Sequence, residues 1–274
     1  MPFQKNSASD MPVDEVRTKM KAHFEGTGER ANSKWNDLWG ENFMPWDRGV
    51  SNPALADTLV SKKELIPSAT EGSGPRRRAL VPGCGRGYDV LLLSSFGYDA
   101  YGLEVSDKAL DACRAFEKTD GDKYTARDES IGKGSVNWVH GDFFANDWNP
   151  NDMTYDVIYD YTFLAAMHPT KRAALALRYQ QLLAPEGTLI CLEFPTNKPM
   201  STGGPPYGLP EKVYIGHFSR PGEDMPYNDV YELDESKLEA PSKKALVRVD
   251  RWLAEHTHPI GAGNDYVSLW KQRN

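Results

Sequence analysis

The 274-residue chain is short of cysteine, of basic charge and of long apolar runs, and each shortage excludes something. Its three cysteines, Cys84, Cys113 and Cys191, are widely spaced and odd in number. That excludes a zinc knuckle or a disulfide framework and points to reduced thiols in the cytoplasm. Acids outnumber Lys and Arg by 39 to 32, a formal charge of −7, so a surface that tracks nucleic-acid phosphates is not expected. The one dense basic cluster, Arg76-Arg77-Arg78, adjoins a Gly/Ser/Pro stretch and reads as a solvated loop. No segment approaches ~18 apolar residues and the N-terminus is polar, so neither a membrane span nor an export signal is read. The expected partner is a small molecule.

Against those absences stands one dense segment, Leu80-Val81-Pro82-Gly83-Cys84-Gly85-Arg86-Gly87-Tyr88-Asp89. An apolar stretch runs into G-x-G-x-G and then into the apolar Val90 to Leu93, the order of a strand, a glycine turn and a helix start. Such a turn lets the backbone approach a nucleotide-like cofactor closely. A dinucleotide fingerprint has its third glycine where this chain has Tyr88. Asp89 puts a carboxylate in the first helical turn, where it favours the helix dipole and repels a pyrophosphate. S-adenosylmethionine, with its ammonium and sulfonium, suits that charge better.

Strand and helix signals alternate from there. Strands over 79–82, 100–105, 136–139, 155–159 and 188–194, with helices after Ser106 and over 170–183, imply right-handed crossovers and a buried parallel sheet. Two further strands are expected over 246–253 and 266–271. Upstream, Asn52-Pro53 reads as the cap and first-turn proline of a helix to Leu65. A polar arm, residues 1–32, holds another helix over 13–24. Residues 67–78 read as a connector and 196–245 as an irregular insertion. The result is one doubly wound α/β domain over 33–274, with 33–66 as its cover.

In an open parallel sheet, ligands sit beyond the carboxyl ends of the strands. Glu104 ends the second strand, about 20 positions after Gly83, where an acid accepts hydrogen bonds from both ribose hydroxyls. Asp142 and Phe143 follow the third strand and suit an adenine amino group and its ring face. Asp160 and Tyr161 end the fourth, beside the methionine part and the reacting methyl. Trp35 and Trp39, spaced i, i+4, precede Trp46 in a segment otherwise polar, with little core to join. Aromatic faces favour a sulfonium cation, so this segment reads as a lid that excludes water.

These residues carry a resemblance. Lys34-Trp35 with Leu38-Trp39, Pro45-Trp46-Asp47, the loop from Leu80 to Val90, Gly141-Asp142-Phe143-Phe144 and Tyr155 to Leu164 look like the thiopurine methyltransferase superfamily. Gly203-Gly204-Pro205-Pro206-Tyr207 is similar to the substrate-side motif of its thiol and halide methyltransferase branch in plants and fungi. The resemblance implies a class I methyltransferase fold, a Rossmann-like, mostly parallel seven-stranded sheet with an N-terminal helical lid. It also implies methyl transfer from S-adenosylmethionine to a thiol, hydrosulfide, thiocyanate or halide. Trp35, Trp39, Trp46, Gly83, Glu104, Asp142, Phe143 and Tyr161 would contact the cofactor. Gly85 and Asp160 join them by position, and Tyr207 would lie at the acceptor, orienting or deprotonating it. The chain departs from the plant pattern in Glu104 for a frequent Asp, in Ala165 for a frequent Cys, and in a longer segment over 218–245.

The expected reaction is in-line displacement by a soft anion. A thiolate is already nucleophilic, so the protein need mainly align it, exclude water and favour the anion. Tyr207 donates a hydrogen bond to that anion, or accepts a proton if its pKa falls below the usual ~10. Arg48 and Arg172 either attract the anion or serve as structural ion-pair partners. His168 is a rival base or simply a helix-start residue. No metal is expected, since no carboxylate and amide cluster can be assembled, and a monomer or weak dimer is. Amino methylation goes with Asn/Asp-Pro-Pro-aromatic after the fourth strand, where this chain has Asp160-Tyr161-Thr162-Phe163. A catalytically silent cofactor-binding scaffold and a nicotinamide dehydrogenase complete the alternatives.

Overall fold

The computed structural model describes residues 6–26, 31–72 and 74–273. Three helices, α1 (Val13–Phe24), α2 (Ala31–Gly40) and α3 (Pro53–Ser61), precede the sheet. The alternating part follows as β1 (Arg78–Pro82), α4 (Tyr88–Ser95), β2 (Asp99–Glu104), α5 (Asp107–Asp120), β3 (Val136–His140) and β4 (Tyr155–Tyr161). It continues with α6 (Phe163–Ala166), α7 (Arg172–Leu182), β5 (Leu183–Glu193), α8 (Glu211–Ser219), β6 (Leu246–Leu253) and β7 (Tyr266–Gln272). The seven strands form one sheet in the order β3-β2-β1-β4-β5-β7-β6. β7 runs antiparallel to both neighbours and the other pairs are parallel. The chain reverses direction across the sheet between β1 and β4, the place where an open sheet leaves a crevice for a ligand.

The central strands are apolar on both faces because both are covered by helices. Leu80, Ile158 and Leu189 point into one core with Tyr179 and Phe218. Their neighbours Val81, Val157 and Ile190 point into the other with Leu55 and Leu93. Local caps fix the helix starts as the sequence suggests. Ser106 accepts from the Ala109 N–H at the head of α5, and Asn52 accepts from the Ala54 N–H at 2.9 Å at the head of α3. Asn52 also donates from its backbone to Asp89 at 3.0 Å and from its side chain to Thr257 at 3.1 Å. The cover is thereby stitched to α4 and to the loop after β6. On its outer side Ala8 and Met20 pack with Leu38 and Phe43.

Three boundaries differ from expectation. α3 stops at Ser61, short of Leu65. The helix expected over 170–183 begins as a 3-10 turn, Pro169–Lys171, and Leu183 already belongs to β5. Pro185 and Gly187 therefore lie within a strand, at the irregular pairing between β4 and β5, where a bulge tolerates a missing donor. Within the insertion, α8 was not anticipated. It is nine residues long and its buried face includes Gly216 and His217 beside Val213, Tyr214 and Phe218, which blurs the apolar period. No helix among the described residues is long and apolar enough to cross a membrane.

Candidate active site

The glycine loop between β1 and α4 is shaped by the rings around it. Gly83 has φ +59°, and a Cβ there would lie 2.4 Å from the Phe163 ring. Gly85 has φ +57°, yet a Cβ there would meet only Trp39, at 3.7 Å. The loop is packed hard at its first glycine and open toward the lid at its second. Behind it, Glu104 accepts from the backbone N–H of Gly85, Val105 and Ser106 at 3.1, 2.8 and 3.0 Å. Burial pushes the Glu104 carboxyl up, and these three donors pull it back.

The lid reaches the same loop. Trp39 and Trp46 meet at 6.2 Å between centroids, and Trp35 stands edge-on to Trp46 at 5.3 Å while its other side packs on Phe24. Trp39, Trp46, Gly83, Gly85 and Tyr161 border one cleft. Arg48, Asp89 and His258 also line it. Burial raises the Asp89 pKa to about 7, countered only by the Asn52 N–H. Burial raises Tyr161 to about 12 and lowers His258, which Arg48 lowers further. As closed by the lid, the cleft leaves about 60 Å³, well below what a nucleoside-sized ligand needs. A larger cavity of about 420 Å³ opens between Val50, Phe116 and Tyr124. It touches no residue of the glycine loop, whereas Gly83, Cys84, Gly85 and Arg86 line the smaller cleft, so the smaller cleft is the candidate site.

The remaining expected residues are distributed differently. Asp142 lies at the lid's edge, accepting from Asn32 of α2 at 2.9 Å and from the Phe144 N–H. Phe143 is buried among Phe144, Phe163 and Tyr179 rather than at the cleft. Asp160 turns to the opposite face of the sheet from Tyr159 and Tyr161. It accepts there from Tyr179 Oη at 2.6 Å and from the Leu164 N–H, and burial lifts it to about 6. It braces α6 and α7 from inside. Tyr207 sits beyond the loop after β4, its N–H donating to the Ala165 carbonyl at 2.7 Å. Its ring faces His168 at 5.6 Å and lies 5.9 Å from the Arg172 guanidinium. Burial raises the Tyr207 pKa, offset in part by Arg172, so the residue stays a phenol and a donor. His168 binds Thr170 through Nδ1, at the start of the 3-10 turn before α7. Asn52 was expected only as a cap, and His258 was not anticipated at all.

The donor set fits S-adenosylmethionine. A buried acid backs the glycine loop, a half-buried acid lines the cleft, and Trp39 and Trp46 border the same cleft with rings of the kind that favour a cation. Among the described residues no group of three or more His, Cys, Asp or Glu is placed to hold a metal.

Comparison with known proteins gives the same answer independently. The family model described as thiopurine S-methyltransferase matches residues 30–253. Thiocyanate methyltransferase 1 of Arabidopsis thaliana is 32% identical over 250 residues, 91% of this chain and 94% of that protein. A thiopurine S-methyltransferase of Methylococcus capsulatus is 32% identical over 193 residues, 67% of this chain and 79% of that protein. In fold, the chain is similar to a SAM-dependent methyltransferase from Anabaena variabilis, with a TM-score of 0.55 at 15% identity over 89% of this chain and 95% of that one. The chain belongs to the thiopurine S-methyltransferase family, whose members take their methyl group from S-adenosylmethionine.

Proposed function

We propose that the chain methylates a small sulfur nucleophile bound beside Tyr207, with residues 33–274 working as one domain in the cytoplasm. Its relatives are named for thiocyanate and for thiopurines, both soft sulfur acceptors. The observation that carries the reading is the pairing of a protonated Tyr207 with the Arg172 guanidinium on the far side of the loop after β4. Donors and positive charge suit a nucleophile that is already anionic. A neutral alcohol or amine would need a base instead.

When bound, S-adenosylmethionine supplies an electrophilic methyl on a sulfonium. Glu104 would hold the ribose hydroxyls and Asp142 the adenine edge, while Asp89 and Arg48 suit the ammonium and carboxylate of the amino-acid end. Trp39 and Trp46 cover that site and keep water from it, with Trp35 supporting Trp46. Tyr207 donates a hydrogen bond to the acceptor and aligns it for in-line attack.

The test is turnover with S-adenosylmethionine on hydrosulfide, thiocyanate, iodide, an aromatic thiol and a thiopurine, read as S-adenosylhomocysteine. Sulfur acceptors are expected to react, with iodide weaker. Tyr207→Phe, which removes one hydrogen bond to an anion, should lower kcat/KM roughly tenfold. Cofactor binding without turnover on any sulfur acceptor would leave the silent scaffold.

A further inference from the structure

Arg172, the first residue of α7, is 1% exposed. A guanidinium so placed needs an anion or a set of acceptors, and the sequence allows it an ion-pair partner. Among the described residues no carboxylate pairs with it. Nη1 donates to Tyr227 Oη at 3.3 Å, and the buried Nε has no partner.

The hydrogen bonding continues in one direction. Tyr227 accepts from Arg172, so its own proton goes to His217 Nε2, 2.8 Å away. His217 is 1% exposed, and burial, then Arg172, pulls its pKa down to about 3, so the imidazole is neutral. A neutral ring that accepts at Nε2 carries its hydrogen at Nδ1. That Nδ1 is also buried and without a partner. Three linked side chains thus leave two buried N–H donors unmatched, one of them cationic.

We propose that Arg172, His217 and Tyr227 form an anion subsite that binds the negatively charged group of the methyl acceptor. Arg172 borders Tyr207, which makes the subsite part of the acceptor side rather than of the cofactor cleft. The segment after α8 supplies part of it. Tyr227 comes from that segment, and Tyr231 holds φ +59°, a costly conformation for a bulky residue. There its ring meets His168 edge-on at 5.1 Å. A buried, weakly hydrated guanidinium walled by tyrosines suits a diffuse monoanion such as thiocyanate or a thiolate. The identity of the anion as the acceptor rests on the function proposed above; the subsite itself does not.

The experiment is titration calorimetry of thiocyanate into the full chain saturated with S-adenosylhomocysteine. Arg172→Gln should weaken thiocyanate binding roughly tenfold or more, and Tyr227→Phe roughly threefold. The affinity for S-adenosylhomocysteine should be unchanged in both. Unchanged thiocyanate affinity in Arg172→Gln overturns the subsite, as does an equal loss of both ligands, which would mark a structural role. If Arg172→Gln fails to fold, Tyr227→Phe, on an irregular segment, decides by the same two readings. Turnover separates the two proposals. Wild-type methyl transfer with thiocyanate binding indifferent to Arg172 leaves the transferase standing and sinks the subsite. Arg172-dependent thiocyanate binding without turnover does the reverse.

Discussion

Asp47 accepts from Arg86 Nε at 2.8 Å with one carboxylate oxygen and from Tyr88 Oη at 2.7 Å with the other. This latch joins the lid to the glycine loop. Both side chains are largely buried, at 14% and 9% exposure for Arg86 and Asp47. Such a pair is screened far less than a surface one. The cleft leaves about 60 Å³, so the lid must shift to take in a nucleoside-sized ligand, and the latch would then hold the lid over the bound cofactor. Asp47→Ala should raise KM for S-adenosylmethionine roughly ten- to a hundredfold with less effect on kcat. Initial rates at varied cofactor check this. An unchanged KM would mean that Trp39 and Trp46 hold the lid alone.

Glu104 differs from the latch because its hydrogen bonds are local. Gln at this position would still accept from some of the three backbone N–H groups, but it would lose the charge and present an amide donor to one of them. Charge-assisted bonds to ribose hydroxyls contribute on the order of 1.5–3 kcal/mol each. Glu104→Gln should therefore weaken S-adenosylhomocysteine by about tenfold or more, measured by calorimetry. The shorter Glu104→Asp should retain more of the affinity, since the charge remains.

The fold was legible where one local rule decided it. β6 and α1 fall on the expected residues, and Ser106 and Asn52 cap the helices that their positions announce. The lining of the candidate cleft was legible where it lies on the loop itself or on the segment before the sheet, at Gly83, Gly85, Trp39 and Trp46. It was less so at strand ends, because position along the chain does not give direction. In β4, Tyr159 and Tyr161 share a face by the two-residue repeat, which sends Asp160 to the other face. The alternation was available in the sequence and decides the matter. His258 had no such signal. It reaches the cleft from the loop after β6, through tertiary packing that no local pattern encodes. The Arg172 cluster was hidden for the same reason, since Arg172, His217 and Tyr227 come from three separate segments.

Asp89 gives the cleft a pH dependence. Burial raises its pKa to about 7 from the ordinary aspartate value of about 3.8. Between those values the folded chain holds a proton that the unfolded chain has lost, so this group's contribution to stability falls as pH rises from about 4 to 7. Cofactor binding runs the other way, because the cationic cofactor favours the ionised carboxylate. The affinity for S-adenosylmethionine should rise with pH through about 7, and binding should release a proton near pH 6. Asp89→Asn should flatten both profiles. Calorimetry in buffers of different ionisation enthalpy measures the proton directly, and an unchanged proton count in the variant would assign the effect to another acid.

Gly83 and Gly85 share nearly the same backbone conformation, yet alanine at each should fail in a different way. Both have φ near +60°, so either substitution carries a backbone cost of about 1 kcal/mol. At Gly83 the new methyl would also press on the Phe163 ring at 2.4 Å. That ring is backed by Phe143 at 5.1 Å and has little room to yield. Overpacking of this kind costs a further ~1–3 kcal/mol, so Gly83→Ala should lower Tm by roughly 4–16 °C at ~2–4 °C per kcal/mol. At Gly85 the methyl meets only Trp39, at 3.7 Å. Gly85→Ala should therefore cost only a few degrees, while its methyl stands between the loop and the lid and weakens S-adenosylhomocysteine binding. Thermal melts and calorimetry on the two variants separate the effects. Equal melting temperatures would show that Phe163 can move, and the loop would then be shaped by the ligand rather than by the rings around it.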